Sequence, residues 1–144
     1  MICVLKGIGS MTRKKLEQYR SLVAEIEETQ ERIRNNMASD MVIGSDASFP
    51  YTQHAVRIEG VRDEGALRRD TRILSTLRSQ VTEIEKWISE IPDSMTRRIF
   101  RMRYTDGKVR PSWQWIAFKI GHTNESTTRK IHNRFLKLSE NSEK

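Results

Sequence analysis

The sequence predicts an all-α chain: a long antiparallel helical hairpin of coiled-coil character, followed by a C-terminal trihelical head that contains a helix-turn-helix. Three observations predict it. Apolar residues recur at heptad spacing in two separate stretches, about 12–37 and 63–91. Turn-forming residues crowd the interval between these stretches. Near the C-terminus, Ile116-Ala117-Phe118-Lys119-Ile120-Gly121 precedes a short polar stretch and then the basic amphipathic segment Arg129-Lys130-Ile131-His132-Asn133-Arg134-Phe135-Leu136-Lys137. The chain accordingly divides into an N-terminal piece 1–11, a hairpin 12–92 with a connector 38–61, a head 93–139 and a tail 140–144, with both terminal pieces expected to be flexible.

In the first stretch the seam is Leu16, Tyr19, Val23, Ile26, Ile33 and Met37, with Gln30 as its polar interruption and Glu25, Glu27, Glu28, Glu31, Arg32 and Arg34 on the other faces. Ser39-Asp40, Gly44-Ser45-Asp46 and Pro50 then break the pattern. They bound the short apolar runs Met41-Val42-Ile43 and Ala55-Val56-Arg57-Ile58, so this connector reads as a loop or a small β-hairpin. Phe49 and Tyr51 are expected to pack onto the helix ends. The second stretch carries Leu67, Leu74, Val81 and Ile88 at one heptad position and Leu77, Ile84 and Ile91 at the other. Two helices of similar length joined by the connector 38–61 are expected to fold back antiparallel, seam against seam. Because each stripe is narrow, a second copy is expected to complete the burial as a homodimer.

Pro92-Asp93 ends the second helix, and Asp93 or Ser94 caps the next, about 94–105, with Met95, Ile99, Met102 and Tyr104 inward. Asp106-Gly107 turns the chain. Pro111-Ser112 starts a helix containing Trp113, Trp115, Ile116, Ala117 and Ile120, both tryptophans being assigned to the core. Ala117 suits a close crossing of two helices, and Gly121 suits the positive φ of a helix C-terminus. Asn124 or Thr123 caps the last helix, whose inward residues are Thr128, Ile131, Phe135 and Leu138.

Charge is distributed unevenly. Residues 94–144 hold 12 of the 26 basic residues but only 4 of the 19 acidic ones. A basic excess of this kind attracts phosphate backbones. On the last helix Ser126, Thr127, Arg129 and Lys130 fall where base edges would be met. Asn133, Arg134 and Lys137 fall where phosphates would be, with Lys119, Lys108 and Arg110 holding the backbone from the other side. In the common helix-turn-helix pattern an inward apolar residue lies ten positions after the small alanine-like residue. Here that position is Thr127, with Thr128 next, so the turn is one residue longer and the contacts slip by one.

Other chemistries find little support. The single Cys3 excludes an intramolecular disulfide and a cysteine-based zinc cluster, and it fits a reducing cytoplasm. His54, His122 and His132 lack metal-site spacing and read as solvated or capping residues. No apolar run approaches the ~20 residues that span a bilayer, so no membrane partner is expected. The run Met1-Ile2-Cys3-Val4-Leu5 is too short for a signal-peptide core, and Met11 is an alternative start. No glycine-rich phosphate loop or nucleophile triad is present, so the expectation is of no enzyme, no cofactor and no metal.

The segment Ser94–Leu138 resembles the region-four domain of bacterial sigma factors through Arg97-Arg98-Ile99, Arg103-Tyr104, Ser112-Trp113, Ile116-Ala117, Gly121 and Arg129-Lys130-Ile131-His132. Over about residues 12–140 the chain is similar to phage and prophage regulators of the ArpU and RinA type, including a connector like Ser48-Phe49-Pro50-Tyr51-Thr52-Gln53-His54. The resemblance implies a sequence-specific binder of double-stranded DNA, acting in the bacterial cytoplasm as an accessory, sigma-like transcription factor with RNA polymerase as a further partner. The alternatives are a phage DNA-packaging protein of the terminase small-subunit kind, and an inhibitor or adaptor that binds protein through its sigma-like head.

Overall fold

The computed structural model describes residues 11–141. The expectations for Cys3 and the rest of residues 1–10, and for residues 142–144, lie outside the described residues. The described chain is mostly helical with one two-stranded antiparallel sheet. Its order is α1 (Arg13–Glu17), α2 (Tyr19–Asn36), β1 (Met37–Ser45), β2 (Gln53–Val61), α3 (Glu64–Ser89), α4 (Ser94–Phe100), a π-helical turn (Arg101–Thr105), α5 (Trp113–Ile120) and α6 (Glu125–Asn141). It forms two compact units, residues 25–76 and residues 11–24 with 77–141.

In the unit 25–76, helices α2 and α3 run antiparallel from a root built by one side chain. Asn36 Oδ1 accepts from Asp63 N at 2.8 Å while its Nδ2 donates to Asp63 O at 2.7 Å. Asp63 Oδ1 in turn accepts from Ala66 N and caps α3. Farther along, Arg32 pairs with Asp70 at 3.4 Å and donates to Thr29 Oγ1 at 2.9 Å. Thr29 is the fully buried polar residue of this seam, and Gln30 is only half-buried.

The connector is a ribbon of nine paired residues per strand, from Met37↔Val61 to Ser45↔Gln53, much longer than its apolar runs suggest. Met37 therefore leaves the helical seam and becomes the first, exposed residue of β1. Every residue of β2 is exposed. The ribbon closes through Asp46 N to Thr52 O and a hydrogen bond from Thr52 Oγ1 to Asp46 Oδ2. Phe49 and Tyr51 do not pack onto helix ends. They meet each other edge to face at 6.1 Å at the ribbon tip, with Phe49 84% exposed, because nine strand residues separate them from either helix by about 30 Å of backbone.

The other unit buries two connected clusters. One gathers Met11 and Leu16, then Ile84, Trp87, Ile88 and Ile91 of α3 and its end, then Phe100, Tyr104 and Leu136; the other gathers Ile99, Met102 and Ile116, with Trp113, Ile120 and Ile131 packed against it. Asp93 caps α4, its Oδ2 accepting from Thr96 N and Thr96 Oγ1 at 2.8 and 2.6 Å, which holds its carboxyl below the usual range.

The helix expected over 94–105 is α4 continued by the π-helical turn, closed by Asp106 N to Arg101 O at 2.9 Å. Thr96, Ile99 and Phe100 face inward at α-helical spacing, so Met95 lies outside at partial exposure. The wider π turn then lets Met102, Arg103 and Tyr104 all be buried, which three consecutive residues of an α-helix cannot achieve on one face. Arg20 secures carbonyls of this turn and beyond it, donating to Arg103 O, Asp106 O and Gly107 O at 2.9, 2.9 and 3.2 Å.

Ser112 caps α5 through Trp115 N, and Gly121 ends it at φ 82°. Gly121 N and His122 N bond back to Phe118 O and Ala117 O, the pair of contacts that defines a Schellman ending. Trp115 is 46% exposed, so the core assignment holds for Trp113 and not for Trp115, which lies one helical step round from Ile116. Gly121→Ala is expected to cost about 1–2 kcal/mol in denaturant unfolding, because a Cβ disfavours this φ. Gly60→Ala, at an exposed strand position with open space around it, should lose none of this. Equal effects at both sites would contradict the account of the turn.

Candidate nucleic-acid interface

Asn124 begins α6, its Oδ1 accepting from Ser126 N at 2.8 Å. The buried face of the helix is then set by Thr128, His132, Leu136 and Ser139, flanked by half-buried Ile131 and Phe135. Leu138, expected inward, is 47% exposed, and Leu136 takes the core position. Thr127 is exposed while Thr128 is fully buried, its Oγ1 3.0 Å from His122 Nδ1.

Seven sequence-predicted site residues lie on this helix: Ser126, Thr127, Arg129, Lys130, Asn133, Arg134 and Lys137. All are exposed. At ~100° per residue they span an arc of roughly 160° opposite the buried face. Lys119 lies on α5 with its Nζ 5.4 Å from the centre of the Trp115 ring, and Arg110 lies in the preceding loop. The nine residues are not equally unencumbered. Arg129 is held at 3.3 Å by Glu125, one turn earlier. Arg110 is held at 3.4 Å by Glu17 of α1, and Asn133 Oδ1 accepts from Arg13 Nη2 at 2.8 Å. The N-terminal helix thus borders α6 on the Asn133 side.

His132 is neither solvated nor a helix cap. It is 1% exposed, stacked 4.7 Å from Phe100 and edge-on to Trp113 at 4.9 Å. Its Nδ1 is 3.0 Å from Asn133 Oδ1, an acceptor, so Nδ1 carries the proton. Nε2 then accepts from the Tyr104 hydroxyl at 2.8 Å. Burial pushes the imidazole down to about 4, with Arg13, Arg103 and Arg110 adding to the effect against the Asn133 hydrogen bond.

Beside this pair lies a cleft lined by Arg13, Arg103, Tyr104, Arg110, Trp113, Arg129, His132 and Asn133. Three of these, Arg110, Arg129 and Asn133, belong to the sequence-derived site, and the two further arginines, Arg13 and Arg103, do not. Arg13 stands 120 residues from its partner Asn133, and in the sequence Arg103 stands out only through the Arg103-Tyr104 pair of the resemblance. Among the described residues no three His, Cys, Asp or Glu side chains come together as metal ligands, and no helix is long and apolar enough to cross a membrane.

A family model described as "Protein of unknown function (DUF722)" matches residues 12–141. No curated protein and no solved structure matches the chain.

An unfolded histidine titrates near 6.5 and the folded His132 near 4, so between these values the unfolded state binds more protons. Stability should therefore be full above about pH 6.5 and fall as pH drops toward 4, by up to about 3 kcal/mol. In His132→Gln this slope of unfolding free energy against pH should flatten; an unchanged slope would assign the pH response to other groups.

Proposed function

The chain belongs to the DUF722 family, and we propose that it is a sequence-specific DNA-binding regulator of transcription whose last helix reads the major groove. One observation carries this reading. The outer face of α6 displays Arg129, Lys130, Arg134 and Lys137 with Ser126 and Thr127, directly opposite a face fixed in the core. The preceding geometry is what a helix-turn-helix needs. Buried Ala117 is compatible with a close approach of the helices, and left-handed Gly121 ends α5 three residues before the Asn124 cap. The α6 N-terminus adds its partial positive charge where phosphates would lie.

In this reading Ser126, Thr127, Arg129 and Lys130 meet base edges. Arg134, Lys137, Lys119, Arg110 and Asn133 meet the backbone. The resemblance to sigma region four and to ArpU- and RinA-type phage regulators supports an accessory factor at promoters, working in the bacterial cytoplasm as a homodimer and alongside RNA polymerase. A second reading, capture of a protein by the same helices, is favoured by the exposed Trp115 and Phe118 on α5 and Val109 before it. A packaging role would instead require a closed ring of copies, and no observation favours it over a promoter factor.

Fluorescence anisotropy on selected and random duplexes tests the proposal. Affinity for the selected duplex should fall steeply with salt. Arg129→Ala should reduce the preference for the selected duplex by ~1–3 kcal/mol. Lys137→Ala should weaken both duplexes alike and lower the salt slope by about 1. Parental behaviour of both variants would remove α6 from the interface. Recovery of a protein partner from nuclease-treated lysate, with no duplex bound, would favour the second reading.

A further inference from the structure

Four guanidinium groups from four separate places in the sequence converge on the cleft beside Tyr104 and His132: Arg13 of α1, Arg103 of the π turn, Arg110 of the loop and Arg129 of α6. Among the described residues no carboxylate lines it. Glu17 holds Arg110 and Glu125 holds Arg129 from the rim, so among the described residues two of the four charges have an acidic partner and two do not.

The floor is the telling part. Arg103 is only 9% exposed, lies 4.3 Å over the Trp113 ring and donates Nη1 to Pro111 O. Its Nε is buried and meets no hydrogen-bond acceptor among the described residues. Burial first, and the Arg110 charge next, hold this guanidinium below its usual value. A desolvated cation surrounded by like charges is costly unless an anion completes it. Tyr104 is neighbour to the cluster but donates its hydroxyl hydrogen to His132, so it does not supply that anion. The planar forks of arginine match a tetrahedral oxyanion, which accepts two parallel hydrogen bonds from each. The cleft encloses about 250 Å³, below the ~300–1,000 Å³ of organic-ligand pockets, and so suits one small anion.

We propose that this cleft is a phosphate seat: it binds a single phosphoryl group between Arg103 on the floor and Arg13 and Arg110 on the rim, with Arg129, held by Glu125, left to the base edges. The seat goes beyond duplex reading, because it takes the group whether it arrives as a backbone diester or as a monoester. Arg13 reaches it through its hold on Asn133, which places the N-terminal helix in the same site as α6.

The test uses the full chain, inorganic phosphate and short duplexes with and without 5′-phosphates. Thermal unfolding in phosphate should show a saturable rise in Tm over chloride at equal ionic strength. Arg13→Ala, at an exposed position, should weaken phosphate about tenfold, as expected for one lost charge-assisted contact. Arg103→Lys, which keeps the charge but loses the fork, should abolish the specific rise. Displacement of phosphate by either duplex supports the seat and assigns it to a diester. Displacement by the 5′-phosphorylated duplex alone supports it and assigns it to a monoester. A phosphate effect no larger than that of chloride, or one retained in both variants, overturns the seat. Duplex binding that persists in that event leaves the DNA reading standing, whereas phosphate binding without any duplex binding keeps the seat and removes the DNA reading.

Discussion

Five rings from four elements meet at one point of this protein, and the orientation of the last helix depends on them. Trp87 of α3 packs edge-on against Phe100 of α4 and Phe135 of α6 at 5.5 and 5.9 Å, and Phe100 stacks on His132 of α6. Tyr104 closes the set through its hydrogen bond to His132. Each such contact adds of order 1 kcal/mol to the burial it accompanies. Because two rings of α6 are locked here, the helix cannot rotate about its axis without emptying the cluster. Its polar arc is displayed as a result of what the other side buries.

The same cluster ties remote parts of the sequence together. Met11 and Leu16 reach it from the N-terminus and Ile84, Ile88 and Ile91 from the end of α3. Arg20 adds a polar tie, spanning one carbonyl of the π turn and two just past it. The short helices α4 to α6 therefore share a core with residues 11–24 and 77–91, and the rim of the cleft is built from both ends of the sequence.

Much of this was legible from residue order. The caps at Asp93, Ser112 and Asn124, the left-handed Gly121 and the α3 seam follow from local rules that need only neighbours within one turn. The exposed arc of α6 was legible for the same reason. Three things were not. The strands of the ribbon extend well past their apolar runs, because backbone pairing across the turn, with all of β2 exposed, sets their length. His132 looked like a surface residue, because its pocket is made by Phe100, Tyr104 and Trp113, about 20 to 30 residues earlier. Arg13 and Arg103 joined the cleft through contacts that no spacing within the sequence announces.

The π turn has a bearing on how related chains are compared. Between Phe100 and Asp106 the chain carries the equivalent of one additional residue over ordinary helical winding, and the side-chain directions before and after it are offset accordingly. A homologue one residue shorter in this interval would wind normally, and the side chain aligned with Tyr104 would swing by about 100° away from the imidazole. Length at this spot, together with the letters at 104 and 132, decides whether a chain can assemble the Tyr104–His132 pair.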